Sequence, residues 1–317
     1  MKKSVPASDL VVSAVIVSFN TRPLTTRCLR TLLPEITPFS SEVIVVDNGS
    51  ADGSVAAVRE EFPTVRVIES GQNIGFGPAN NLALREAQGK YLLLLNSDAF
   101  PQPGAIGKLV NYLEEHPDVG VVGPRLLNTD GSMQLSCFRF PTPRQAWCEN
   151  LWVSSMFPEH LVLGNYRRWP HDSEREVDWI VGACMLMRRE VFEQVGGFDE
   201  SFFLYAEETD WQRRMRDGGW EIAFTPAAVV THLGGASGAS EKARINRHFF
   251  DGLDRYERKH HGMAGLISLR CAMTIGCGLR AVLWAITWLL RPQRRAVASS
   301  KARLHSWLVL RQATHWR

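Results

Sequence analysis

The chain has 317 residues, 45% apolar and 22% charged, and these ordinary globular values exclude a disordered, collagen-like or disulfide-scaffold protein. At roughly 150 residues per domain, the length allows two domains, or one large domain with an extension. The net charge of +3 divides at residue 240, because residues 241–317 carry 15 of the 36 Lys and Arg residues but only four acids, which gives +11 there and −8 for the rest.

The first part of the chain alternates apolar runs with amphipathic segments. Residues 11–19 form a continuous β-branched run, typical of a strand buried on both faces of a parallel sheet. Apolar residues at helical spacing follow as far as Pro34, and VIVVD at 43–47 predicts a second buried strand. The same criteria predict helices at 55–62, 78–88 and 104–116 and strands at 65–69, 91–96 and 119–123. Such alternation indicates βαβ units, and therefore an α/β fold with an open, mostly parallel sheet flanked by helices.

Between residues 124 and 176 the pattern gives way to turn-rich sequence with scattered tryptophans, which predicts an insertion lying over the sheet. Regular structure is predicted again from WIVGACMLMRR at 179–189. A short helix to Gly196 follows, then a helix from Glu207 to Asp217 and strands near 221–224 and 227–231.

Polar residues follow four of the predicted strands, at the edge where open parallel sheets bind their ligands. One such cluster would be typical of a turn or a helix cap, but four at one edge favour a binding site. Carboxylates there can accept hydrogen bonds from a base or ribose and can hold a divalent cation against a diphosphate, and glycines allow close backbone approach. The clusters therefore predict nucleoside diphosphate binding, and they consist of Asn20 and Thr21, Asp47 to Ser50, Asn73 with Gly75 and Gly77, and Asn96 to Asp98.

Two familiar phosphate motifs are absent from the sequence. There is no GxxxxGK[ST], and no GxGxxG directly follows the first strand. These absences argue against a P-loop NTPase and against a nicotinamide dehydrogenase.

Six segments, taken together, resemble family 2 glycosyltransferases of the GT-A fold, most closely their bacterial rhamnosyltransferase-like branch. In chain order over about residues 10–238 they are VIVSFN, VVDNGSADGS, NIGFGPANN, LLLLNSD, GACMLMRREVFEQVGGFDESFFLYAEETD and THLGGAS. The resemblance implies a GT-A catalytic domain over residues 1–240 that transfers a sugar from a nucleotide donor with inversion and depends on Mg²⁺ or Mn²⁺.

The resemblance also implies a set of residues for the nucleotide-sugar donor. Asp47 is similar to the family's base- and ribose-binding aspartate, and the GACM and GGFDE segments are expected to shape the donor-sugar and acceptor side. The other residues expected at the donor are Asn20, Asn73, Gly75, Asn96 and Gly182.

Two residues are implied as metal ligands. Asp98 resembles the last residue of the family's DxD motif, which here is NSD with Asn96 in place of the first aspartate. The lost carboxylate should weaken metal affinity, although Asn96 can still bond the ribose or diphosphate. His232 resembles a histidine that completes the metal or diphosphate site, while a lone histidine at a strand end is also compatible with a structural role.

The segment YAEETD at 205–210 aligns with the family's ED motif, whose second acid is the catalytic base. Glu208 holds that position, where aspartate is usual, and Asp210 is the second candidate. From the residues alone, these acids are better explained by a favourable charge pattern at a helix N-terminus, and the resemblance is what favours Glu208 as the base. Clustered carboxylates raise one another's pKa, which suits a group that accepts a proton near neutrality.

Two other functions remain open from the sequence. A sugar-1-phosphate nucleotidylyltransferase has a similar sheet, but it would carry a Gly-rich, Arg- or Lys-bearing loop where this chain has NTRPL. A non-catalytic nucleotide-sugar-binding subunit is the other alternative. Within the favoured family, the branch suggests L-rhamnose from dTDP-rhamnose as donor and a glycan or lipid-linked acceptor of cell-surface polysaccharide synthesis; no nucleic acid partner is expected.

Residues 241–317 predict a basic, apolar helical tail. Residues 271–290 are just long enough to span a bilayer, but Arg280 would then lie near its centre at a cost of roughly 2.5–3.5 kcal/mol. Trp284 and Trp288, followed by three arginines, favour the surface of an anionic membrane, contacted through residues 264–295. A helical hairpin packed on the catalytic domain is the alternative.

The cysteines and the N-terminal residues indicate the cellular compartment of the protein. Six cysteines without metal or CxxC spacing predict reduced packing residues of a cytosolic protein. Residues 1–10 lack an apolar stretch and so do not predict a secretory signal. We therefore expect a cytoplasmic enzyme at the inner face of the cell membrane.

Overall fold

The structure is a computed structural model that describes residues 11–157, 160, 163–164, 169–234 and 242–314. Residues 1–10, the predicted boundary at residue 240 and the end of the THLGGAS segment lie outside the described residues. The chain divides into two compact units. We call residues 1–140 and 170–252 the sheet unit, and residues 141–169 and 253–317 the helical unit.

Helices and strands alternate along the first half of the chain, and long helices end it. The helices are α1 (Arg22–Ile36), α2 (Ser54–Glu61), α3 (Phe76–Glu86), α4 (Ala105–Glu115), α5 (Pro143–Asn150), α6 (Val153–Met156), α7 (Arg189–Val195), α8 (Glu207–Asp217), α9 (Lys242–Leu290) and α10 (Arg295–Thr314), with a 3-10 turn at Pro292–Arg294. The strands are β1 (Val12–Ser18), β2 (Ser41–Asp47), β3 (Arg66–Glu69), β4 (Tyr91–Leu95), β5 (Ala99–Pro101), β6 (Val119–Leu127), β7 (Met133–Gln134), β8 (Cys137–Phe138), β9 (Arg175–Glu176), β10 (Trp179–Ile180), β11 (Cys184–Arg188) and β12 (Glu221–His232).

The main sheet has ten strands in the described residues, with the central order β3-β2-β1-β4-β11-β6-β12-β5. Strands β1 to β4 are parallel, β11 is antiparallel to both of its neighbours, and β12 is parallel to β6. This confirms the predicted open, mostly parallel sheet. The four polar clusters follow β1 to β4, so they lie at one edge.

The core explains why the central strands are continuously apolar. All five residues of β4 are buried, because helices cover both faces of this part of the sheet. On one face Val12, Ala14 and Ile16 belong to the same cluster as Leu29 and Leu32 of α1. Each buried valine, leucine or isoleucine side chain contributes roughly 1.5–3 kcal/mol by leaving water.

Three predicted elements differ from the structure. Helix α1 continues through Pro34 to Ile36, since a proline in the last turn removes only one hydrogen bond. The strands predicted near 221–224 and 227–231 are one strand, β12, whose register shifts between Thr225 and Val229, around Pro226. The run at 179–189 is instead two strands, β10 and β11, separated by a turn that contains Gly182.

Within the segment 124–176 that was predicted to lie over the sheet, residues 141–169 belong to the helical unit. Trp147 donates its indole N–H to Ser268 Oγ at 3.0 Å. A Cβ at Gly276 of α9 would meet Asn150 Cβ of α5 at 2.7 Å, so only glycine permits this close approach. The division therefore differs from a split at residue 240, because α5 and α6 have their partners in the C-terminal helices.

The C-terminal helices are bent and partly apolar on the outside. Helix α9 is kinked at Gly262, which has a left-handed φ of 67°. Asp254 accepts hydrogen bonds from the buried guanidinium groups of Arg270 and Arg311, and these bonds join the ends of the unit. Within the described residues, 248–290 contain a stretch that meets the length and composition expected of a membrane span, and 17% of that stretch is buried.

Candidate active site

The loops after β1, β2 and β4 are joined by hydrogen bonds. Thr21 Oγ1 lies 3.1 Å from Ser97 Oγ, which connects the ends of β1 and β4. Asn20, in a left-handed conformation with φ 51°, accepts a bond from the Ala51 N–H at 2.8 Å and donates its own N–H to Ser50 Oγ. Asn20 is thus held by the loop after β2, so it shapes the site through that loop.

Asp47 ends β2 as a buried carboxylate. One oxygen accepts the Ser50 N–H at 2.9 Å, and the other is buried without a hydrogen-bond partner. Buried polar atoms are nearly always satisfied, so this oxygen is suited to a donor group of a ligand. The geometry is compatible with the predicted role in binding a base or ribose.

The loop that contains Asn73 and Gly75 is fixed by Asn48, a residue that was not among those individually expected at the donor. The Asn48 amide donates to Asn73 Oδ1 and to the Gly75 carbonyl, both at 3.1 Å, and its oxygen accepts the Ile74 N–H at 3.0 Å. Asn48 directly follows Asp47, and its place in a DNGS turn was the signal that could have identified it. The amide of Asn48 therefore sets the distance between this loop and the end of β2.

Gly75 has a conformation that other residues rarely adopt, with φ 97° and ψ 169°. A Cβ there would also lie 2.6 Å from the Phe203 carbonyl oxygen, which accepts the Phe76 N–H at 3.1 Å. The glycine thus lets the loop before α3 touch the loop before α8.

Asn96 connects the end of β4 to the turn between β10 and β11. Its backbone N–H donates to the Ala183 carbonyl at 2.9 Å, and its side-chain oxygen is buried without a partner. In the same turn, a Cβ at Gly182 would lie 3.7 Å from Glu208 Cβ. This turn therefore lies between the β4 end and the first turn of α8.

Asp98 and His232, the two predicted metal ligands, lie next to each other. His232 Nε2 lies 3.3 Å from Asp98 Oδ1, and the side chains are only 10% and 7% exposed. The Leu233 N–H donates to the Asp98 carbonyl at 3.1 Å, which ties the end of β12 to the NSD loop.

Gln134 of β7 determines which ring nitrogen of His232 carries a proton, and no motif in the sequence points to Gln134. The amide nitrogen of Gln134 donates to Asn128 Oδ1 at 3.0 Å and to the His232 carbonyl at 3.3 Å. The amide oxygen of Gln134 can therefore only accept a hydrogen bond. That oxygen lies 2.7 Å from His232 Nδ1, which therefore carries a proton. In a neutral ring, Nε2 then presents a lone pair towards Asp98.

This donor set fits a divalent cation. A lone pair and a carboxylate oxygen at 3.3 Å repel one another unless a proton or a cation lies at Nε2. Two ligand atoms that bind the same ion, each at about 2.1 Å, lie about 3 Å from one another. Among the described residues no group of three or more His, Cys, Asp or Glu could hold a metal. Phosphate oxygens and water would therefore have to complete the coordination, as is usual for Mg²⁺.

Glu207 and Glu208 begin α8 next to strained backbone. Tyr205 and Ala206, directly before them, both have left-handed φ values of 70° and 66°. Burial raises the pKa of Glu207 well above its usual range, and the neighbouring Glu208 raises it further. Burial also raises the pKa of Glu208. Each side chain has one buried oxygen without a hydrogen-bond partner.

Asp210 has a different environment from the two glutamates. It is fully buried, and Arg214 donates to it at 3.1 Å while also donating to the carbonyl oxygens of Val195 and Gly197. The Asp210–Arg214 pair therefore fastens α8 to the turn after α7. Of the two candidates for the base, Glu208 is the one whose Cβ and Cγ would lie 3.7 and 3.8 Å from a Cβ at Gly182.

The aromatic side chains near the GGFDE turn pack inside the protein. Trp211 is fully buried, donates its indole N–H to the Gly196 carbonyl at 2.7 Å and packs on Phe198. Asn81 of α3 bonds both the N–H and the carbonyl of Phe198 at 2.9 Å. This turn is therefore fixed to α3, and Trp211 is not placed to stack on a sugar.

Comparisons with known proteins agree on the family. The model of "Glycosyl transferase family 2" matches residues 13–196. N-acetylglucosaminyl-diphospho-decaprenol L-rhamnosyltransferase of Mycobacterium tuberculosis is 32% identical over 243 residues, covering 70% of this chain and 76% of that protein. Rhamnosyltransferase WbbL of Escherichia coli K12 is 29% identical over 177 residues, covering 51% of this chain and 62% of its own.

Solved structures agree on the fold. Mannosyltransferase PcManGT from Pyrobaculum calidifontis, in complex with GDP-Man and Mn²⁺, has a TM-score of 0.58 and 19% identity, covering 98% of this chain and 89% of that one. GalNAc-T7 with UDP, GalNAc and Mn²⁺ has a TM-score of 0.53 and 16% identity, covering 81% and 52%. The chain therefore has the GT-A fold, belongs to glycosyl transferase family 2 and is a glycosyltransferase.

Proposed function

We propose that this glycosyltransferase moves L-rhamnose from dTDP-L-rhamnose, with inversion, to a lipid-linked glycan acceptor of cell-surface polysaccharide synthesis. The names of the M. tuberculosis and E. coli relatives support the sugar, and the name of the former supports an acceptor linked through diphosphate to a polyprenol. The family assignment replaces the nucleotidylyltransferase and the non-catalytic subunit as explanations of the sequence.

Donor binding is assigned to the strand-end loops. The unpartnered oxygens of Asp47 and Asn96 accept hydrogen bonds from the nucleoside, and the loop with Asn73 and Gly75 supplies a close-fitting wall. Asp98 and His232 would hold Mg²⁺ or Mn²⁺, which when bound offsets the negative charge on the diphosphate. Gln134 keeps the proton of His232 on Nδ1, and therefore keeps Nε2 available as a ligand.

Glu208 is the proposed base of a single displacement. Its carboxylate takes the proton of the acceptor hydroxyl as that oxygen forms a bond to the anomeric carbon. The bond from the anomeric carbon to the diphosphate oxygen breaks with its electron pair, and dTDP leaves. The observation that carries this assignment is the position of Glu208 beside Gly182, where an added Cβ would lie 3.7 Å from Glu208 Cβ. The next residue of that turn, Ala183, accepts the Asn96 N–H at the end of β4.

The proposed acceptor and the composition of the tail together favour a reaction at a membrane. A polyprenol-linked acceptor lies in a lipid bilayer, and exposed apolar residues of α9 with the following arginines suit its surface. We therefore propose attachment of the enzyme to the inner face of the cell membrane through residues 264–295.

The test is transfer by the full-length enzyme from a panel of nucleotide sugars to N-acetylglucosaminyl-diphospho-polyprenol. We expect a rhamnosylated product from dTDP-rhamnose only, with activity lost in excess EDTA and restored by Mn²⁺. Transfer from a UDP- or GDP-sugar instead would overturn the donor assignment. Full activity in EDTA would overturn the metal assignment.

A further inference from the structure

The helical unit contains an open surface cavity of about 440 Å³, to which the proposed reaction assigns no role. Four of its residues recur at helical spacing on one face of α9, and two lie one turn apart on α10. The lining residues are Trp152, Arg280, Leu283, Trp284, Thr287, Lys301 and His305.

The cavity concentrates positive charge. Arg280, Lys301 and His305 are basic, and none of the lining residues that the structure describes is acidic. The pKa of His305 is lowered, first by burial and then by the positive charges of Arg280 and Lys301. Like charges brought together in a partly desolvated site are costly unless an anion lies between them, so the site favours an anionic ligand.

Of the positive groups, Arg280 is held in place, whereas Lys301 is exposed. Arg280 donates to the Glu149 carbonyl at 3.2 Å, and its guanidinium carbon lies 4.5 Å from the centre of the Trp152 ring. Trp152 has a left-handed φ of 62°, a strained conformation for a bulky residue. His305 Nδ1 is buried without a hydrogen-bond partner, so a ring nitrogen in the cavity lining is left for a ligand.

The rim of the cavity is apolar and continues along α9. Leu283 lines the cavity and is 53% exposed, and Leu279 and Ile286 on the neighbouring face are 45% and 44% exposed. A cationic cavity beside an exposed apolar stripe matches a molecule that joins an anionic group directly to a hydrocarbon chain.

We propose that this cavity binds the diphosphate of a prenyl-diphosphate-linked acceptor, with the first isoprene units against Leu283 and Ile286. The proposal rests on the proposed function and names the place where that function's acceptor is held. Two permanent cations and a histidine match the multiple charges of a diphosphate better than the single charge of a phospholipid phosphodiester.

The test measures binding of farnesyl diphosphate to the full-length protein by the fluorescence of Trp152 and Trp284. We expect farnesyl diphosphate to bind at least tenfold more tightly than farnesyl monophosphate or inorganic pyrophosphate. Lys301→Gln and Arg280→Gln should each weaken binding tenfold or more. Arg291→Gln removes the same charge from an exposed residue of the same segment and should change affinity less than twofold. Equal affinity of all three variants for farnesyl diphosphate would overturn the proposal. So would equally strong competition by phosphatidylglycerol vesicles for the farnesyl diphosphate site.

Kinetics separate this proposal from the function on which it rests. With Lys301→Gln we expect a higher KM for the prenyl-diphosphate acceptor, an unchanged KM for the nucleotide sugar and parental binding of dTDP in Mn²⁺. Arg280 supports the fold, so Lys301→Gln keeps the test valid if Arg280→Gln does not fold. Transfer with an unchanged acceptor KM in Lys301→Gln would refute the cavity alone. Tight farnesyl diphosphate binding without any rhamnosyl transfer would refute the proposed function alone.

Discussion

At the scale of single residues, the first turn of α8 carries three acids in different environments. Asp210 is neutralised by Arg214, whereas Glu207 and Glu208 each keep a buried oxygen without a partner. Burial raises the pKa of both glutamates, so protonation of either is easier than in water. Asp210 and Arg214 therefore form a structural ion pair, whereas Glu207 and Glu208 are the acids that can gain or lose a proton.

Glu207→Gln tests the buried pair through stability. The folded-state pKa of Glu207 is raised above its unfolded value, so the parent loses stability as pH rises above that unfolded value. Glutamine does not ionise, and one pKa unit corresponds to about 1.4 kcal/mol. We expect Glu207→Gln to match the parent near pH 4 and to have a higher Tm by about 2 °C or more at pH 8.

The matched control is the exposed Glu190 of α7. Glu190→Gln should give a difference in Tm that is small at both pH values, because its carboxylate stays in water. A constant difference in Tm between Glu207→Gln and the parent from pH 4 to pH 8 would show that the charged form of Glu207 does not destabilise the folded protein.

Sequence patterns identify some of these residues and miss others for physical reasons. Asp47, Asp98 and Glu208 stand at the ends of predicted strands or at a helix start, where local pattern is informative. Asn48 and Gln134 act through hydrogen bonds to residues that are distant in sequence, such as Asn73 and His232. Nothing in the local pattern at either position indicates those partners.

At the scale of elements, the site depends on loops that follow parallel strands. The βαβ alternation predicts their common edge, because parallel strands all end on the same side. The turn at Gly182 was not predicted, because residues 179–187 are otherwise apolar and a single glycine in such a run is a weak signal of a break between β10 and β11. The shift of register at Pro226 likewise depends on the pairing with β6.

Gly75→Ala tests the contact between the two loops. Alanine at φ 97° is strained, and its Cβ would lie 2.6 Å from the Phe203 carbonyl oxygen, so the loop before Glu208 must move. Gly71→Ala is the control, since its φ of 77° is also left-handed but nothing lies within 4 Å of the new Cβ. We expect a loss of about 1 kcal/mol for Gly71→Ala and roughly 2–4 kcal/mol for Gly75→Ala in urea unfolding.

Only Gly75→Ala should also lower the turnover number, by tenfold or more, because only this change displaces the loop that carries the base. Equal losses of stability and turnover in the two variants would argue against the contact with Phe203.

At the scale of the whole molecule, the charge split predicts a separate C-terminal part, but not its full extent. Residues 141–169 belong to that unit through contacts such as Trp147 with Ser268 and Arg280 with Glu149. The pairing brings together segments more than a hundred residues apart, for which one sequence carries no signal. A truncation after residue 262 would strip α5 of these partners, so substitutions are the better test of the tail.

Replacing Arg291, Arg294 and Arg295 together by glutamine tests membrane attachment. Each arginine near an anionic surface contributes about 1 kcal/mol, so we expect roughly a hundredfold weaker binding to phosphatidylglycerol vesicles at low salt. The control replaces Arg59, Arg66 and Arg85, exposed arginines of the sheet unit, and should bind like the parent. Equal binding by both triple variants would indicate that the tail does not hold the enzyme on the membrane.

The proposed mechanism divides the site into one part that holds the cation and donor and a second part, Glu208, that takes the proton. Measuring dTDP affinity in Mn²⁺ and the rhamnosyl turnover number side by side for the parent, Asp98→Ala and Glu208→Gln tests this division. We predict that Asp98→Ala loses both the Mn²⁺-dependent part of dTDP binding and transfer. Glu208→Gln should keep dTDP affinity within about threefold and lose turnover by about a hundredfold or more. Turnover retained by Glu208→Gln, or Mn²⁺-dependent dTDP binding retained by Asp98→Ala, would contradict the division of roles.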